Sequence, residues 1–181
     1  MSANECPRPE RVDTIGTTPR AIEIAATSAE CAALAHRFGL RRLDSLSATL
    51  RLWRDATGII AQGQVHAAVV QACVVTDDSV NAVIDEPMAV RFVSADALAP
   101  SEEEVELSSD ALDAILYGGG VIDLGEAAAE TMALALDPFP RASGAAAVLE
   151  AAGVVSEDRA AALNTPFGAL AALKNKLGSE G

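Results

Sequence analysis

The spacing of apolar residues along the chain predicts several β-strands. Residues 21–25 alternate between apolar and other positions, and residues 45–54 place leucine or alanine at every second position. Residues 59–76 form a long apolar run typical of a central strand, and residues 80–93 alternate again after an Asp-Asp-Ser turn. The pattern therefore predicts an antiparallel sheet of about four or five strands built from these segments.

Helical periodicity predicts that helices cover this sheet. The spacing of a capping box occurs twice, at Thr27 with Glu30 and at Asp123 with Glu126. Apolar residues at helical intervals follow each of them, which predicts helices over residues 28–38 and 123–137. Alanine-rich segments predict a further helical tail over about residues 143–177.

These elements predict a single α+β domain over residues 21–177. The chain has 181 residues, of which 50% are apolar, so it can bury a substantial core. Residues 1–20 contain three prolines interleaved with charges, which predicts a flexible, poorly ordered N-terminal arm or an edge segment. An acidic, irregular stretch predicts a solvated loop over about residues 94–108.

The charge balance is acidic and unevenly distributed. The chain has 26 acidic and 13 basic residues, a formal net charge of −13, which excludes a uniformly basic nucleic-acid-binding protein. Residues 1–62 nevertheless hold eight arginines against seven carboxylates, whereas residues 63–181 hold five basic residues against nineteen acidic ones. A local cationic patch is therefore expected only in the N-terminal third.

Other function classes lack their sequence signals. No run of about 18 apolar residues is free of charges and no apolar leader is present, so we expect a cytoplasmic protein with no membrane contact. The three cysteines form no C-x-x-C pair, which predicts neither a disulfide framework nor a metal site. Cys73 and the two histidines are interpreted as structural, and no cofactor is expected. The triple glycine at residues 118–120 lacks the spacing of a phosphate-binding loop.

One cluster of residue types suits RNA. Guanidinium groups bind phosphates, and an exposed indole can stack on an unpaired base. The alternative is that the indole caps the edge of the core while the arginines pair with the excess carboxylates, and the sequence leaves both open. The candidate RNA-binding residues are Arg37, Arg41, Arg42, Arg51, Trp53 and Arg54.

The acidic residues suggest two further alternatives. The run over residues 102–106 is either a solvated face or a surface that binds a basic partner, such as a ribosomal protein, without RNA contact. A metal-dependent nuclease would need several carboxylates clustered around a cation, although helix capping already explains two of the four candidates. The basic-partner candidates are Glu102, Glu103, Glu104 and Glu106, and the nuclease candidates are Asp85, Glu86, Asp123 and Glu126.

Several segments occur in an order and spacing that resemble a known family over roughly residues 20–175. They are ALAHRFGL ending at residue 40, VVQACVVTDDSV at 69–80, IDEPMAVRFV at 84–93, VIDLGEAAAETMALALDPFPR at 121–141 and NTPFGALAALK at 164–174. Together they resemble the YceD family, the large ribosomal RNA subunit accumulation proteins.

The resemblance implies a role in the synthesis, processing or stability of 23S rRNA in the bacterial cytoplasm, without catalytic activity. The implied partner is 23S rRNA or its precursor, contacted directly or through a large-subunit ribosomal protein, with no DNA. Many members of the family carry paired cysteines that suggest a metal site. Here Cys73 matches the first cysteine, but Thr76 stands in place of its partner, so a zinc role is not carried over to this chain.

Overall fold

A computed structural model describes residues 4–95 and 113–154, which form a mostly antiparallel sheet with helices. The strands are β1 (Pro9–Arg11), β2 (Arg20–Ala25), β3 (Arg42–Arg54), β4 (Ile59–Ala72), β5 (Ser79–Ser94), β6 (Asp113–Tyr117) and β7 (Val121–Asp123). The helices are α1 (Ser28–Arg37), α2 (Leu124–Leu134) and α3 (Ala145–Ala151), with a short 3₁₀ turn at Val12–Thr14. The α+β prediction is confirmed.

The main sheet has five strands in the order β2-β3-β4-β5-β6. The first four pair antiparallel, as the hairpin pattern predicts, and β6 pairs with β5 in parallel. Strand β6 therefore differs from the predicted antiparallel pairing. Residues 95–112 connect β5 to β6, and parallel pairing requires a long connection of this kind, whereas a tight hairpin turn would give antiparallel pairing. Strands β1 and β7 form a separate two-stranded ladder.

One side of the main sheet forms the core with α1 and α2. Leu46, Ala48, Leu50 and Leu52 of β3 are buried there, as the alternation predicts. They belong to one apolar cluster with Leu34 of α1 and with α2 residues such as Ala128 and Met132. The opposite side of the sheet, here called the open face, includes Glu23, Thr49, Arg51, Trp53, Ile60, Gln62, Gln64, His66, Asp85 and Arg91.

The described part of the N-terminal segment, residues 4–20, follows the predicted edge segment and not the flexible arm. From residue 4 onward it packs on the domain, and Cys6 is 0% exposed. The Asp123 carboxylate accepts hydrogen bonds from Asn4 Nδ2 at 2.7 Å and from the Arg8 backbone N–H at 2.9 Å. The proline pattern is compatible with this order because Pro9 lies on an edge ladder, where a missing N–H costs little.

Both predicted helix starts are present, with one difference. Thr27 and Glu30 form a reciprocal capping box at α1. Asp123 caps α2 through the N–H groups of Gly125 and Glu126, but the Glu126 carboxylate pairs with an arginine instead of returning to the cap. The predicted acidic loop, apart from its first two residues, and the helical tail beyond residue 154 lie outside the described residues.

Gly125 permits close contact between the N-terminal segment and α2. A Cβ atom at this position would lie 1.8 Å from the Cys6 carbonyl oxygen, so no larger residue fits without moving backbone. A glycine is therefore required at position 125, because the backbone of the N-terminal segment at Cys6 packs directly against the first turn of α2.

Substitution Gly125→Ala should lower the free energy of unfolding by about 1–3 kcal/mol or more, because the new methyl group overlaps backbone. Urea unfolding followed by circular dichroism measures this change. The control is Gly16→Ala, where a Cβ meets nothing within 4 Å and stability should stay within about 0.5 kcal/mol. Equal stabilities for the two variants would contradict the packing argument.

Low pH should weaken the ion pair between Arg8 and Glu30. Their ion pair spans 2.8 Å, and hydrogen bonds from Arg8 and from the Thr27 backbone lower the pKa of Glu30 to about 2. Because the unfolded state binds this proton near pH 4.5, the stabilisation is present above that pH and is lost as pH falls towards 2. Glu30→Gln should therefore flatten the decline of stability between pH 4.5 and 2 in urea titrations. The control Glu23→Gln, at an exposed carboxylate, should retain the parent slope.

Candidate nucleic-acid interface

The six residues predicted to bind RNA do not form one patch. Arg41 and Arg42 lie where β3 begins, whereas Arg51 and Trp53 lie near its other end. Nine residues separate Arg42 from Arg51, about 30 Å in an extended strand. Arg37 ends α1, and Arg54 points to the core side of the sheet. A single RNA contact would therefore use only a subset.

Three of the arginines are paired with carboxylates of the chain. Arg37 bonds Glu126 at 2.5 Å and Glu5 at 2.9 Å, which raises the pKa of its guanidinium. Arg41 contacts Asp77 at 2.7 Å, and Arg42 contacts Asp44 at 2.6 Å. An RNA phosphate would have to compete with these carboxylates.

Arg54 is also engaged within the chain. Its guanidinium donates to the backbone carbonyl of Ile15 at 3.3 Å and to that of Val12. Its backbone N–H donates to the Gly16 carbonyl at 2.8 Å. Arg54 therefore connects the N-terminal segment to β3 by hydrogen bonds. Its guanidinium lies on the core side of the sheet and is not part of the open face.

Arg51 and Trp53 remain together on the open face. They are separated by two positions of one strand, so their side chains point the same way about 7 Å apart. The side chain of Arg51 is exposed and has no hydrogen bond or ion pair with any described residue, while Trp53 is half-buried. The strand register places Gln62 beside Arg51 and Ile60 beside Trp53.

Arg91 joins this pair, and the sequence pattern did not indicate it. Ile60 pairs with Trp53 on one side and with Arg91 on the other, so the row Trp53–Ile60–Arg91 spans about 10 Å across three strands. Ile60 is only 3% exposed although it faces away from the core, as expected if its two large neighbours cover it. Extrapolating the register of the β4–β5 hairpin from its turn would have predicted this neighbour.

The side chain of Arg91 is partly enclosed by its neighbours. Gly58 lies against it, since a Cβ there would be 3.3 Å from Arg91 Cγ. The pKa of Asp55 is lowered, mainly by hydrogen bonds from Thr57 and to a smaller extent by the Arg91 charge. Arg91 Nε is buried and lacks a hydrogen-bond partner among the described residues. We define the Arg51 face as Arg51, Trp53 and Arg91.

The carboxylates considered for a nuclease are not brought together. Asp85 lies on the open face, 3.2 Å from His66 Nδ1, while the adjacent Glu86 points to the other side of the sheet. Asp123 caps α2 and Glu126 pairs with Arg37. Within residues 4–95 and 113–154, no group of three or more potential metal ligands is present. Glu102, Glu103, Glu104 and Glu106 lie outside the described residues.

Cys73 lies in a turn rich in backbone donors. Its Sγ accepts N–H groups from Val75 and Thr76, both at 3.4 Å, and from Ala142 at 3.3 Å. These hydrogen bonds, led by that of Ala142, lower the pKa of the thiol to about 7. Burial instead raises the pKa of Cys6 and of Cys31. The Thr76 hydroxyl donates a hydrogen bond to the Asp78 carboxylate at 2.7 Å.

Comparison with known proteins identifies a family for most of this chain. The family described as large ribosomal RNA subunit accumulation protein YceD matches residues 61–174, a segment that contains Cys73 and Arg91 but neither Arg51 nor Trp53. No curated protein and no solved structure matches the chain. In the described part of the structure, no helix is long and apolar enough to cross a membrane.

The three thiols should ionise at different pH values. Cys73 should form thiolate with a midpoint of about pH 7, because three N–H groups stabilise the anion, while Cys6 and Cys31 should ionise at higher pH than free cysteine. Pulsed alkylation with iodoacetamide at a series of pH values, resolved by mass spectrometry, measures each thiol separately. Ala142→Pro removes one donor and should raise the Cys73 midpoint. A parent midpoint equal to those of Cys6 and Cys31 would contradict the assignment.

Proposed function

Because this chain belongs to the YceD family of large ribosomal RNA subunit accumulation proteins, we propose that it promotes accumulation of 23S rRNA by binding RNA at the Arg51 face. The proposed role is non-enzymatic and cytoplasmic, and it acts on the synthesis, processing or stability of this RNA or its precursor. The family description names accumulation of an RNA and no reaction, which supports a binding role.

The observation that carries the proposal is an unpaired arginine beside the tryptophan. Arg51 has no acidic partner among the described residues, whereas Arg37, Arg41 and Arg42 each have one. A phosphate can therefore bind Arg51 without displacing a carboxylate. The neighbouring indole offers a surface on which an unpaired base can stack, a contact worth about 1–3 kcal/mol.

The charge of the whole chain limits the kind of RNA that fits. A net charge of −13 repels an extended polyanion, so a long duplex is disfavoured. Two arginines and one half-buried indole, all within about 12 Å, match one or two unpaired nucleotides of a loop. The proposed ligand is therefore a single-stranded segment of 23S rRNA, whose binding falls with salt at a log–log slope of about −0.7 for each phosphate contacted.

Removal of Arg51 and Arg91 should weaken RNA binding and reduce its dependence on salt. The double variant Arg51→Ala, Arg91→Ala should lower the log–log salt slope by about 0.7–0.9 for each phosphate that the protein no longer binds. Fluorescence anisotropy with labelled 23S rRNA transcripts between roughly 50 and 200 mM salt, where phosphate contacts weaken strongly, measures this slope. The matched control is Arg41→Ala, Arg42→Ala, which removes the same charge at the far end of β3.

Trp53 provides a direct readout of the same contact, because it is the only tryptophan in the chain. Base stacking should quench its fluorescence in the parent, and Trp53→Ala should weaken binding by about 1–3 kcal/mol. Equal salt slopes for the two double variants, or RNA binding that leaves Trp53 fluorescence unchanged, would refute the proposed interface.

A further inference from the structure

A crevice runs along α2 on the core side of the sheet, opposite the open face. It consists of two cavities of about 230 and 290 Å³, both bounded by α2, β5 and β6. The first is lined from Asp123, the N-cap of α2, to Glu130 and also by β7, and the second is lined from Thr131 to Ala135, the C-cap of α2. The cavities therefore follow one another over about 18 Å of helix, a length that accommodates roughly five or six extended residues. We call this feature the α2 crevice.

The charge on the rim of the α2 crevice has one sign. Five carboxylates line the two cavities and no lysine or arginine does. Asp123 and Glu126 are already engaged as a helix cap and as the partner of Arg37. The other three are exposed and have no hydrogen bond or ion pair with the residues that the structure describes. They are Glu86, Asp113 and Glu130.

The floor and one side of the α2 crevice are apolar. Phe92, Ile115 and Met88 contribute to the lining. Leu134 stands at the end of α2 with 86% of its surface exposed, so its side chain is available for an apolar contact beside the crevice. An apolar floor between unpaired carboxylates is complementary to aliphatic side chains flanked by cations.

We propose that the α2 crevice binds a basic segment of a partner protein, with lysine or arginine side chains at the three free carboxylates and an aliphatic side chain against Leu134. The partner is identified by its charge and does not depend on the RNA contact, because the Arg51 face lies on the opposite side of the sheet. Residues 96–112, which connect β5 to β6, carry six carboxylates and no basic residue, so their charge disfavours them as the occupant.

Charge and apolar contact are tested separately with the full chain. The probe is a fluorescein-labelled decapeptide of alternating lysine and leucine, added at an ionic strength near 0.15 M, where the Debye length is about 8 Å. Glu86→Gln, Asp113→Asn, Glu130→Gln together should weaken peptide binding at least fivefold. The matched control, Glu23→Gln, Asp44→Asn, Asp78→Asn, removes three carboxylates elsewhere and should change affinity less than twofold.

The apolar contact is tested by comparing the variants Leu134→Ser and Val83→Ser. Both side chains are more than four-fifths exposed, at 86% and 82%, so neither variant should unfold the protein. Leu134→Ser should weaken peptide binding at least threefold and Val83→Ser should not. Arg51→Ala, Arg91→Ala should bind the peptide as the parent does, which separates this proposal from the proposed RNA contact.

Photo-crosslinking identifies the occupant. Leu134→p-benzoylphenylalanine in the full chain, illuminated with the peptide present, should crosslink the peptide. Crosslinks to residues 155–181 of the same chain, or to a second copy, would assign the α2 crevice to those occupants and overturn the proposal. Failure of the parent to bind the peptide, or equally weakened binding by the two triple variants, would overturn it as well.

Discussion

The antiparallel register of β3, β4 and β5 is the constraint on which the rest of the structure depends. From Ser45 onward β3 pairs residue by residue with β4, and β4 pairs with β5 over fourteen positions without a shift. A slip of one strand by one residue would turn its apolar side chains to the open face and its polar side chains into the core. The same register aligns Trp53, Ile60 and Arg91, so the candidate interface exists only because the core is correctly paired.

Asp123 connects this sheet to the N-terminal segment. Its carboxylate accepts the N–H groups of Gly125 and Glu126, which cap α2, and also those of Asn4 and Arg8. A negative charge at a helix N-terminus is favourable in itself, and here it also anchors a distant part of the chain. Residues outside the segment that matches the family therefore pack on its helix α2. The absence of a side chain at Gly125 leaves room for the backbone of these residues.

The distribution of charge follows from these contacts. Most arginines of the N-terminal third are used within the chain, by carboxylates or by backbone carbonyls, and Arg51 is left without an acidic partner among the described residues. On the other side of the sheet, Glu86, Asp113 and Glu130 are left without cations from the part of the chain that the structure describes. An acidic protein thereby presents two faces of different character, and each can be altered without touching the core.

The sequence by itself determined the fold class, most strand boundaries and the helix caps, because alternation, helical spacing and capping are local properties. Its motifs also indicated the family that the comparison with known proteins confirmed. Pairing between distant residues was decided only by the tertiary structure. The parallel β6, the ordered N-terminal segment and the division of the arginines into paired and unpaired groups all depend on contacts between residues far apart in sequence. The row Trp53–Ile60–Arg91 depends on the hydrogen-bonded register of three strands, which the alternation within a single strand does not specify.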